Sequence, residues 1–370
     1  GIELVVLDDG WFGKRDDDNS SLGDWVTNRK KLPEGLEGLG KRIHKMGLQF
    51  GLWFEPEMVS KDSDLYRAHP DWCLHVKDRP YTLGRNQLVL DLSREDVCAY
   101  IIHAVSNVLS NAPIDYVKWD MNRHMTEIGS AKLPPQRQCE TAHRYMLGLY
   151  HVMDAITSRF PHVLFESCSG GGGRFDPAIL YYMPQTWTSD NTDAVCRLKI
   201  QYGTSIVYPP STICSHVSVS PNEQIGRITP LQTRGYVAMS GNFGYELDLS
   251  KLSKAEKEEV RRQVALYKEI RPLIQFGVQH RLLSPFNSNE ASWLYVSQDG
   301  SEVVVFYFKV LAQPAVPIRI LRLRGLDPTA QYRDLESGKI FGGDELLSVW
   351  LTVPIKNGDF TSQFWHFKRI

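Results

Sequence analysis

The sequence has little charge imbalance and no long apolar run. Its 370 residues carry 42 basic and 43 acidic side chains, which gives a formal net charge of -1. Without an excess of positive charge, the chain has no electrostatic surface of the kind that binds nucleic acids or anionic membranes. Its longest apolar runs, such as residues 303–308, are far shorter than the roughly 20 residues that a membrane-spanning helix needs. We therefore expect neither a nucleic acid nor a membrane among its partners.

The sequence also lacks clustered cysteines. The six that it has are Cys73, Cys98, Cys139, Cys168, Cys196 and Cys214. They show neither a C-x-x-C pair nor the histidine and cysteine spacing of a zinc site, so we expect no metal. An even number permits disulfides, but a chain of this length does not need them for stability. We expect reduced thiols in a cytoplasmic protein.

An initiating methionine and a signal-peptide pattern are absent too. The first eight residues, Gly-Ile-Glu-Leu-Val-Val-Leu-Asp, have the pattern of a buried strand from the start. We expect this start to be internal to a longer protein, in which case a missing targeting signal says nothing about compartment.

What is present is a repeated pattern of strand, polar segment and helix over residues 1–280. Predicted strands cover residues 2–8, 49–54, 114–120, 161–167, 184–190, 205–214 and 235–241. Amphipathic helices are predicted to begin near Ser93 and Ser253, the second ending at Pro272. Alternating strands and helices are typical of a parallel sheet with crossover helices, so we predict an α/β fold.

The pattern changes after residue 281. Short segments of alternating polarity follow at residues 303–308, 318–323, 331–335, 349–354 and 364–367, separated by turn residues. We predict a small antiparallel, sandwich-like β domain over residues 281–370, with a structural role.

Ionisable side chains are concentrated where the predicted parallel strands end, and in barrels of parallel strands such ends form the functional site. They fall in residues 8–11, 53–57, 118–123, 166–173 and 187–191. Burying so many carboxylates is costly unless they are paired, hydrogen-bonded or catalytic. Five such segments in register favour a catalytic site over a set of caps and salt bridges.

Two of these acids differ in their surroundings. Asp120 lies two residues from Lys118, on the same side of the strand, and the ammonium could keep this carboxylate ionised as a nucleophile. Asp190 follows a strand that contains Trp187 and has no cation within three residues, an environment that favours its protonated form as a general acid. Two such acids among tryptophans are what glycoside hydrolysis requires.

Six motifs carry a resemblance to a known family. They are LDDGWFG, GLWFEPEMVS, VKWDMNRH, ESCSGGGGRFD, QTWTSDNTDA and GYVAMSGNFGYE. In order and spacing they resemble the catalytic barrel of the microbial α-galactosidases of glycoside hydrolase family 36, over residues 1–280. The resemblance implies a (β/α)8 TIM barrel followed by a C-terminal antiparallel β domain. Only seven strands are predicted, so the first β/α unit and a preceding β domain are expected outside this chain. An isolated piece with such open strand edges is expected to be unstable or inactive.

The resemblance also implies residue roles. Asp120 matches the family's nucleophile and Asp190 its acid/base, while Asp8 and Asp9 match the aspartates that bind the galactose 4- and 6-hydroxyls. The other matched substrate-binding positions are Trp53, Arg85, Lys118, Asn122, Cys168 and Gly170. Trp187 is predicted to bind substrate as the aromatic neighbour of Asp190. Cys168 and Gly170 lie beside the 2-hydroxyl, and a tight site there disfavours an N-acetyl group.

The implied activity is exo-acting hydrolysis of α-galactosides such as melibiose and raffinose, by double displacement with retention. The resemblance calls for no metal or organic cofactor, and we expect the full-length protein to be a homo-oligomer. Two alternatives remain open from the sequence. One is a galactosyltransferase of the raffinose-synthase type, and the other is a non-catalytic galactoside-binding protein.

Overall fold

A computed structural model describes residues 1–315 and 317–370. These residues form two compact units, one of residues 2–187 and one of residues 188–370 together with Gly1. Within the described residues, every helix is too short or too polar to cross a membrane.

Parallel strands build the first unit. Its strands are β1 (Leu4–Leu7), β2 (Gln49–Phe54), β3 (Met58–Ser60), β4 (Gln87–Val89), β5 (Tyr116–Trp119), β6 (Leu164–Ser167) and β7 (Gln185–Trp187). Five of them pair in parallel in the order β1-β2-β5-β6-β7, while β3 and β4 form a separate antiparallel pair. The parallel register places Lys118 opposite Glu166, so that polar side chains of neighbouring strands meet at one end of the sheet.

Helices connect these strands. They are α1 (Gly35–Lys45), α2 (Asp64–Ala68), α3 (Glu95–Asn111), α4 (Thr141–Arg159) and α5 (Pro177–Tyr182). Helix α3 buries the predicted face, with Val97, Ile101 and Val105 in the core. It begins two residues after Ser93, and no side chain caps it. The alternation of parallel strands and helices confirms the predicted α/β pattern in this unit.

The second unit starts with the same alternation and ends in an antiparallel sheet. Its helices are α6 (Ala194–Thr204), α7 (Leu231–Ala238) and α8 (Lys254–Phe276), with the parallel strands β8 (Ile213–Ser218) and β9 (Asn242–Glu246) between them. The antiparallel strands are β10 (Val278–Leu283), β11 (Glu290–Val296), β12 (Glu302–Lys309), β14 (Gln331–Asp334), β15 (Ile340–Gly342) and β17 (Thr361–Arg369). The strands β13 (Ile320–Leu321) and β16 (Leu351–Thr352) pair separately, and a π-helical turn covers Glu345–Val349.

The antiparallel sheet is covered on both faces, which explains why its central strands are almost wholly apolar. On one face Trp293 and Phe306 pack with Ile270 of α8, and on the other Leu294 and Val305 belong to the cluster that contains residues of β13 and β16. The predicted antiparallel β domain is present. The domain boundary at residue 280 stays a prediction, because the core on the α8 side joins helices and sheet in one unit.

Several predicted elements were wrong. Residues 235–241 are not a strand: the segment is mostly α7, and β9 begins only at Asn242. An apolar run buried on several sides does not distinguish helix from strand by periodicity. Residues 205–212 precede β8 instead of forming it. Helix α8 also continues past Pro272, because Leu273 and Ile274 are buried in the core and hold its last turn.

Candidate functional site

Asp120 is the centre of the candidate site. It follows β5 directly and is only 5% exposed. Its Oδ2 accepts hydrogen bonds from Trp53 Nε1 at 3.1 Å and Asn122 Nδ2 at 2.7 Å, and its Oδ1 accepts from the backbone nitrogens of Met121 at 2.8 Å and Gly170 at 3.4 Å. Donors on both oxygens fix the orientation of a carboxylate. This arrangement suits a nucleophile.

Lys118 does not bind Asp120, in contrast to the sequence-based expectation. Its Nζ donates to Asp8 Oδ2 at 2.9 Å. Burial by itself disfavours the ammonium, but the negative charges of Asp8 and Glu166 outweigh it and raise the pKa of Lys118 well above its usual value. The cation therefore pairs with the aspartate after β1, and the neutral donors described above hold Asp120 instead.

The two aspartates after β1 have different partners. Arg15 donates to Asp9 from Nε at 3.0 Å and from Nη2 at 2.8 Å, and this arginine is buried. Asp8 pairs with Lys118, and its Oδ1 accepts the backbone N–H of Asp9 at 2.9 Å. The Asp8 side chain is 59% exposed. Asp8 therefore keeps free acceptor positions for a ligand's hydroxyl groups, on a carboxylate whose direction is already fixed.

Trp53 is held by other aromatic side chains. Its ring lies nearly parallel to Phe12, with centroids 6.2 Å apart, and its carbonyl accepts the indole N–H of Trp11 at 2.8 Å. Trp53 is only 2% exposed. The structure thus gives Trp53 a direct contact with Asp120 through its indole N–H. Trp187, the last residue of β7, is buried as well.

Cys168 and Gly170 come from the loop after β6. Burial, and then the negative charge of Asp120, raise the pKa of the Cys168 thiol well above its usual value, so the sulfur stays protonated beside the carboxylate. Gly170 has a φ of +54°, a conformation that favours glycine, and this directs its N–H toward Asp120. The structure therefore brings both predicted residues to Asp120.

Arg85 lies in a tight turn instead. Arg85 and Asn86 both have positive φ, at 50° and 59°, between the bridged residues Gly84 and Gln87. Two consecutive left-handed residues form the turn of a two-residue hairpin, a conformation that asparagine tolerates better than arginine does. The Arg85 side chain is exposed, and the structure does not place it among the partners of Asp120.

Glu55 is a further site residue, which the sequence-based assignment did not single out. Its buried Oε1 accepts the backbone N–H of Asn122 at 2.5 Å and Gln87 Nε2 at 2.7 Å. Burial and the nearby charge of Asp120 raise the pKa of Glu55 to about 8. Glu55 thus fixes the backbone of the residue whose amide binds Asp120. The signal in the sequence was its position directly after strand β2.

The raised pKa of Glu55 predicts a pH-dependent stability. Between the usual carboxyl value and about 8, the folded state keeps a proton that the unfolded chain has lost, so stability falls as pH rises through this window. The loss is on the order of 1 kcal/mol per pH unit. Glu55→Gln should flatten this decline. The measurement is the urea midpoint of both proteins from pH 5 to 8.5, and parallel curves would contradict the assignment.

A second buried carboxylate, Glu57, holds the loop that contains Gly170 in place. Glu57 accepts Trp119 Nε1 at 2.9 Å, Tyr145 Oη at 2.5 Å and Arg174 Nη1 at 2.6 Å. Arg174 follows the glycine-rich segment that contains Gly170, so the ion pair ties that loop to the segment after β2. The other two nitrogens of the Arg174 guanidinium have no hydrogen-bond partner in the described structure.

Asp190 belongs to the second unit, in the segment before α6. The backbone carbonyl of Asp190 accepts Gln224 Nε2 at 2.9 Å. Buried Arg197 donates to the backbone carbonyls of Asn191 at 2.9 Å and Ser189 at 2.5 Å, which holds the backbone on both sides of Asp190. Arg197 is 2% exposed, and this burial lowers the pKa of its guanidinium to about 10. The main chain that carries Asp190 is therefore well anchored.

The residues described include no group of three or more histidine, cysteine, aspartate or glutamate side chains arranged to hold a metal ion. No disulfide joins any two of the six cysteines, all of which the structure describes.

Comparison with known families gives two matches. A family model named Melibiase matches residues 1–277, and the model of the glycosyl hydrolase family 36 C-terminal domain matches residues 290–367.

Curated relatives match over the whole chain. Alpha-galactosidase AgaA of Geobacillus stearothermophilus is 66% identical over 370 residues, which are 100% of this chain and 51% of that protein. Alpha-galactosidase 1 of Pediococcus pentosaceus is 52% identical, over 100% of this chain and 50% of that protein. The chain therefore spans about half the length of the curated relatives that it matches.

Solved structures agree. A variant of GH36 alpha-galactosidase AgaA in complex with raffinose matches with a TM-score of 0.99 at 66% identity, over 100% of this chain and 51% of that one. The galactosidase domain of AgaSK matches with a TM-score of 0.96 at 44% identity, over 100% of this chain and 50% of that one. This likeness confirms the predicted fold class, a (β/α) TIM-barrel portion followed by an antiparallel β domain.

Proposed function

Since the chain belongs to the melibiases of glycosyl hydrolase family 36, we propose that the protein containing it is an exo-acting α-galactosidase that hydrolyses oligosaccharides such as melibiose and raffinose. The observation that carries this proposal is the buried Asp120 carboxylate, oriented by four hydrogen bonds. The lysine-paired, exposed Asp8 adds a hydroxyl-binding group. The names of the relatives and the raffinose complex of AgaA support the substrate class.

The proposed mechanism is double displacement with retention. Asp120 attacks the anomeric carbon while Asp190 gives its proton to the glycosidic oxygen, so the bond to the leaving sugar breaks and a galactosyl ester of Asp120 forms. Asp190 then takes a proton from water, whose oxygen attacks the same carbon and releases Asp120. Such a pair of carboxyl groups works at a separation of about 5–5.5 Å.

The proposed galactose contacts are those implied by the family positions that these residues match. Asp8 and Asp9 accept hydrogen bonds from the 4- and 6-hydroxyls, with Lys118 fixing Asp8. Arg85 contacts the sugar from its turn. Trp53 and Trp187 are only 2% and 3% exposed, so Trp53 acts through the hydrogen bond from its indole N–H to Asp120, and Trp187 supports the site as a buried side chain. The protonated thiol of Cys168 and the backbone of Gly170 lie beside the 2-hydroxyl, where little room is left for an N-acetyl group.

The test is an NMR time course with raffinose and the full-length protein. Galactose released first as the α-anomer supports retaining hydrolysis, whereas the β-anomer would show inversion and refute the double displacement. The same experiment with excess sucrose detects galactosyl transfer. Transfer to sucrose without release of free galactose would show that the protein is a galactosyltransferase and not a hydrolase. Binding of raffinose without formation of any product would show that the protein is a non-catalytic galactoside-binding protein.

Asp190→Ala should have an effect that depends on the leaving group. Turnover of raffinose should fall by about 10²-fold, because protonation of a poor leaving oxygen is lost. An aryl α-galactoside whose phenol leaves without protonation should form the galactosyl ester at a nearly unchanged rate. Presteady-state bursts with 2,4-dinitrophenyl α-galactoside measure that step. Equal losses on both substrates would contradict the acid/base role.

A further inference from the structure

A cavity of about 550 Å³ lies at one end of the antiparallel sheet in the second unit. Its floor is formed by the neighbouring strands β12 and β17, where Tyr307 lies opposite Gln363 and Lys309 opposite Thr361. None of the residues to which we assign a role in galactoside hydrolysis lines this cavity. Its volume is within the range of about 300–1,000 Å³ that is usual for small-molecule sites.

The lining of the cavity carries an excess of positive charge. Its charged side chains are Lys199, Lys309, Lys356, Arg319 and Glu290. The single acid, Glu290, is already engaged, because it accepts hydrogen bonds from Tyr307 Oη and from Arg319 Nε and Nη2. Among the residues described, the three lysines form no ion pair with a carboxylate. The cavity therefore contains three ammonium groups without an ion-pair partner among the described residues, and Glu336 acts on one of them, Lys356, only through its charge.

Two of these ammonium groups are linked to the backbone and keep donors to spare. Lys309 Nζ donates to the carbonyl oxygen of Lys356, and Lys356 Nζ donates to the carbonyl oxygen of Ser362 at 2.7 Å. Because an ammonium has three N–H donors, each of them can still bind a ligand oxygen. The backbone contacts restrict both side chains, so a ligand would meet donors that are already in place.

Burial makes these charges costly without a ligand. Lys309 and Lys356 are half-buried, and burial lowers the pKa of Lys356. A half-buried cation without an ion-pair partner is destabilising, and an anion bound by both lysines would offset that cost. Lysine binds phosphate as a point charge, without the planar geometry that favours arginine for carboxylates.

We propose that this cavity binds a small phosphate ester, with the phosphate on Lys309 and Lys356. The organic part of the ligand would lie against Phe286, whose side chain is 58% exposed and lines the cavity under Lys199. Amide side chains of Asn289 and Gln363 line the same space and provide hydrogen bonds to hydroxyl groups. A hexose phosphate has the size and the chemistry that fit.

The test is calorimetric titration of the full-length protein with glucose 6-phosphate, inorganic phosphate and glucose. We expect glucose 6-phosphate to bind most tightly, inorganic phosphate more weakly, and glucose not at all. Lys309→Gln and Lys356→Gln should each weaken binding by about tenfold or more, with raffinose hydrolysis unchanged. Lys339→Gln, which changes an exposed lysine in the turn between β14 and β15, is the control and should bind normally.

Lysine acetylation measured by mass spectrometry provides a second readout in the unmutated protein. Glucose 6-phosphate should slow the acetylation of Lys309 and Lys356 but not that of Lys339. The proposal is overturned if glucose 6-phosphate does not bind at 10 mM, if glucose binds equally well, if both variants bind normally, or if the acetylation rates are unaffected. Since the proposal is independent of the galactosidase assignment, each can fail without the other.

Discussion

Asp120→Asn should lower the turnover of an aryl α-galactoside by about 10⁴-fold or more. An amide cannot form the galactosyl ester on which double displacement depends. The amide would also place an N–H₂ group where Asp120 now accepts hydrogen bonds from Trp53 and Asn122. The measurement is kcat, with thermal unfolding recorded for the same sample. Asp18→Asn, at an exposed carboxylate, is the matched control and should keep full activity.

Removing the side chain entirely permits a sharper test of the same role. In Asp120→Gly, azide can occupy the space of the carboxylate and attack the anomeric carbon itself. Activity should then recover with azide concentration, and the product should be β-galactosyl azide, identified by NMR. Near wild-type turnover in Asp120→Asn, or an α-configured azide product, would show that Asp120 is not the nucleophile.

Arg174→Met should lower the free energy of unfolding by about 3–5 kcal/mol, the usual cost of removing one partner of a buried ion pair. Glu57 is 0% exposed, and without Arg174 only Trp119 and Tyr145 would remain as donors to its carboxylate. The measurement is urea-induced unfolding at pH 7. Turnover should fall as well, because Arg174 anchors the loop whose Gly170 N–H binds Asp120.

The double variant Glu57→Met with Arg174→Met separates loss of the pair from loss of packing. Replacing both charged groups with apolar side chains of similar size removes the uncompensated charge, so the double variant should be more stable than Arg174→Met alone. If Arg174→Met lowers the free energy of unfolding by less than about 1 kcal/mol, the pair of Glu57 and Arg174 stabilises the protein no more than a surface salt bridge does. Arg261→Met, at an exposed ion pair with Glu258 on α8, provides that comparison.

The sequence predicted most clearly what depends on local pattern. Strands β2, β5 and β6 lie within their predicted segments, because parallel strands covered on both faces are apolar runs with polar ends. Strand β1 also lies within its predicted segment, although none of its residues is fully buried. The start of α8 near Ser253 was also predicted, and it depends on a capping box whose two hydrogen bonds join residues only three positions apart. The same reasoning failed for α7, whose buried residues show no helical periodicity that could be distinguished from a strand.

The sequence predicted which residues form the candidate site but not which of them pair with one another. Their positions after strands were enough to predict that Asp8, Asp120 and the loop of Gly170 belong to one site, because the ends of neighbouring parallel strands lie together. They were not enough to choose partners. Lys118, two residues from Asp120, donates its hydrogen bond to Asp8, which follows strand β1. Glu55 binds the backbone of Asn122, 67 residues further along the chain.

By itself, the sequence determined the alternation of strands and helices, the change to an antiparallel domain and the acids at the strand ends. Each of these features depends on patterns that extend over only a few residues. Only the tertiary structure decided which charges pair, which carboxyl keeps its proton and which of the described lysines have no ion-pair partner. These depend on distances between strands and on burial, and the free energy of a charge is set by its surroundings in space.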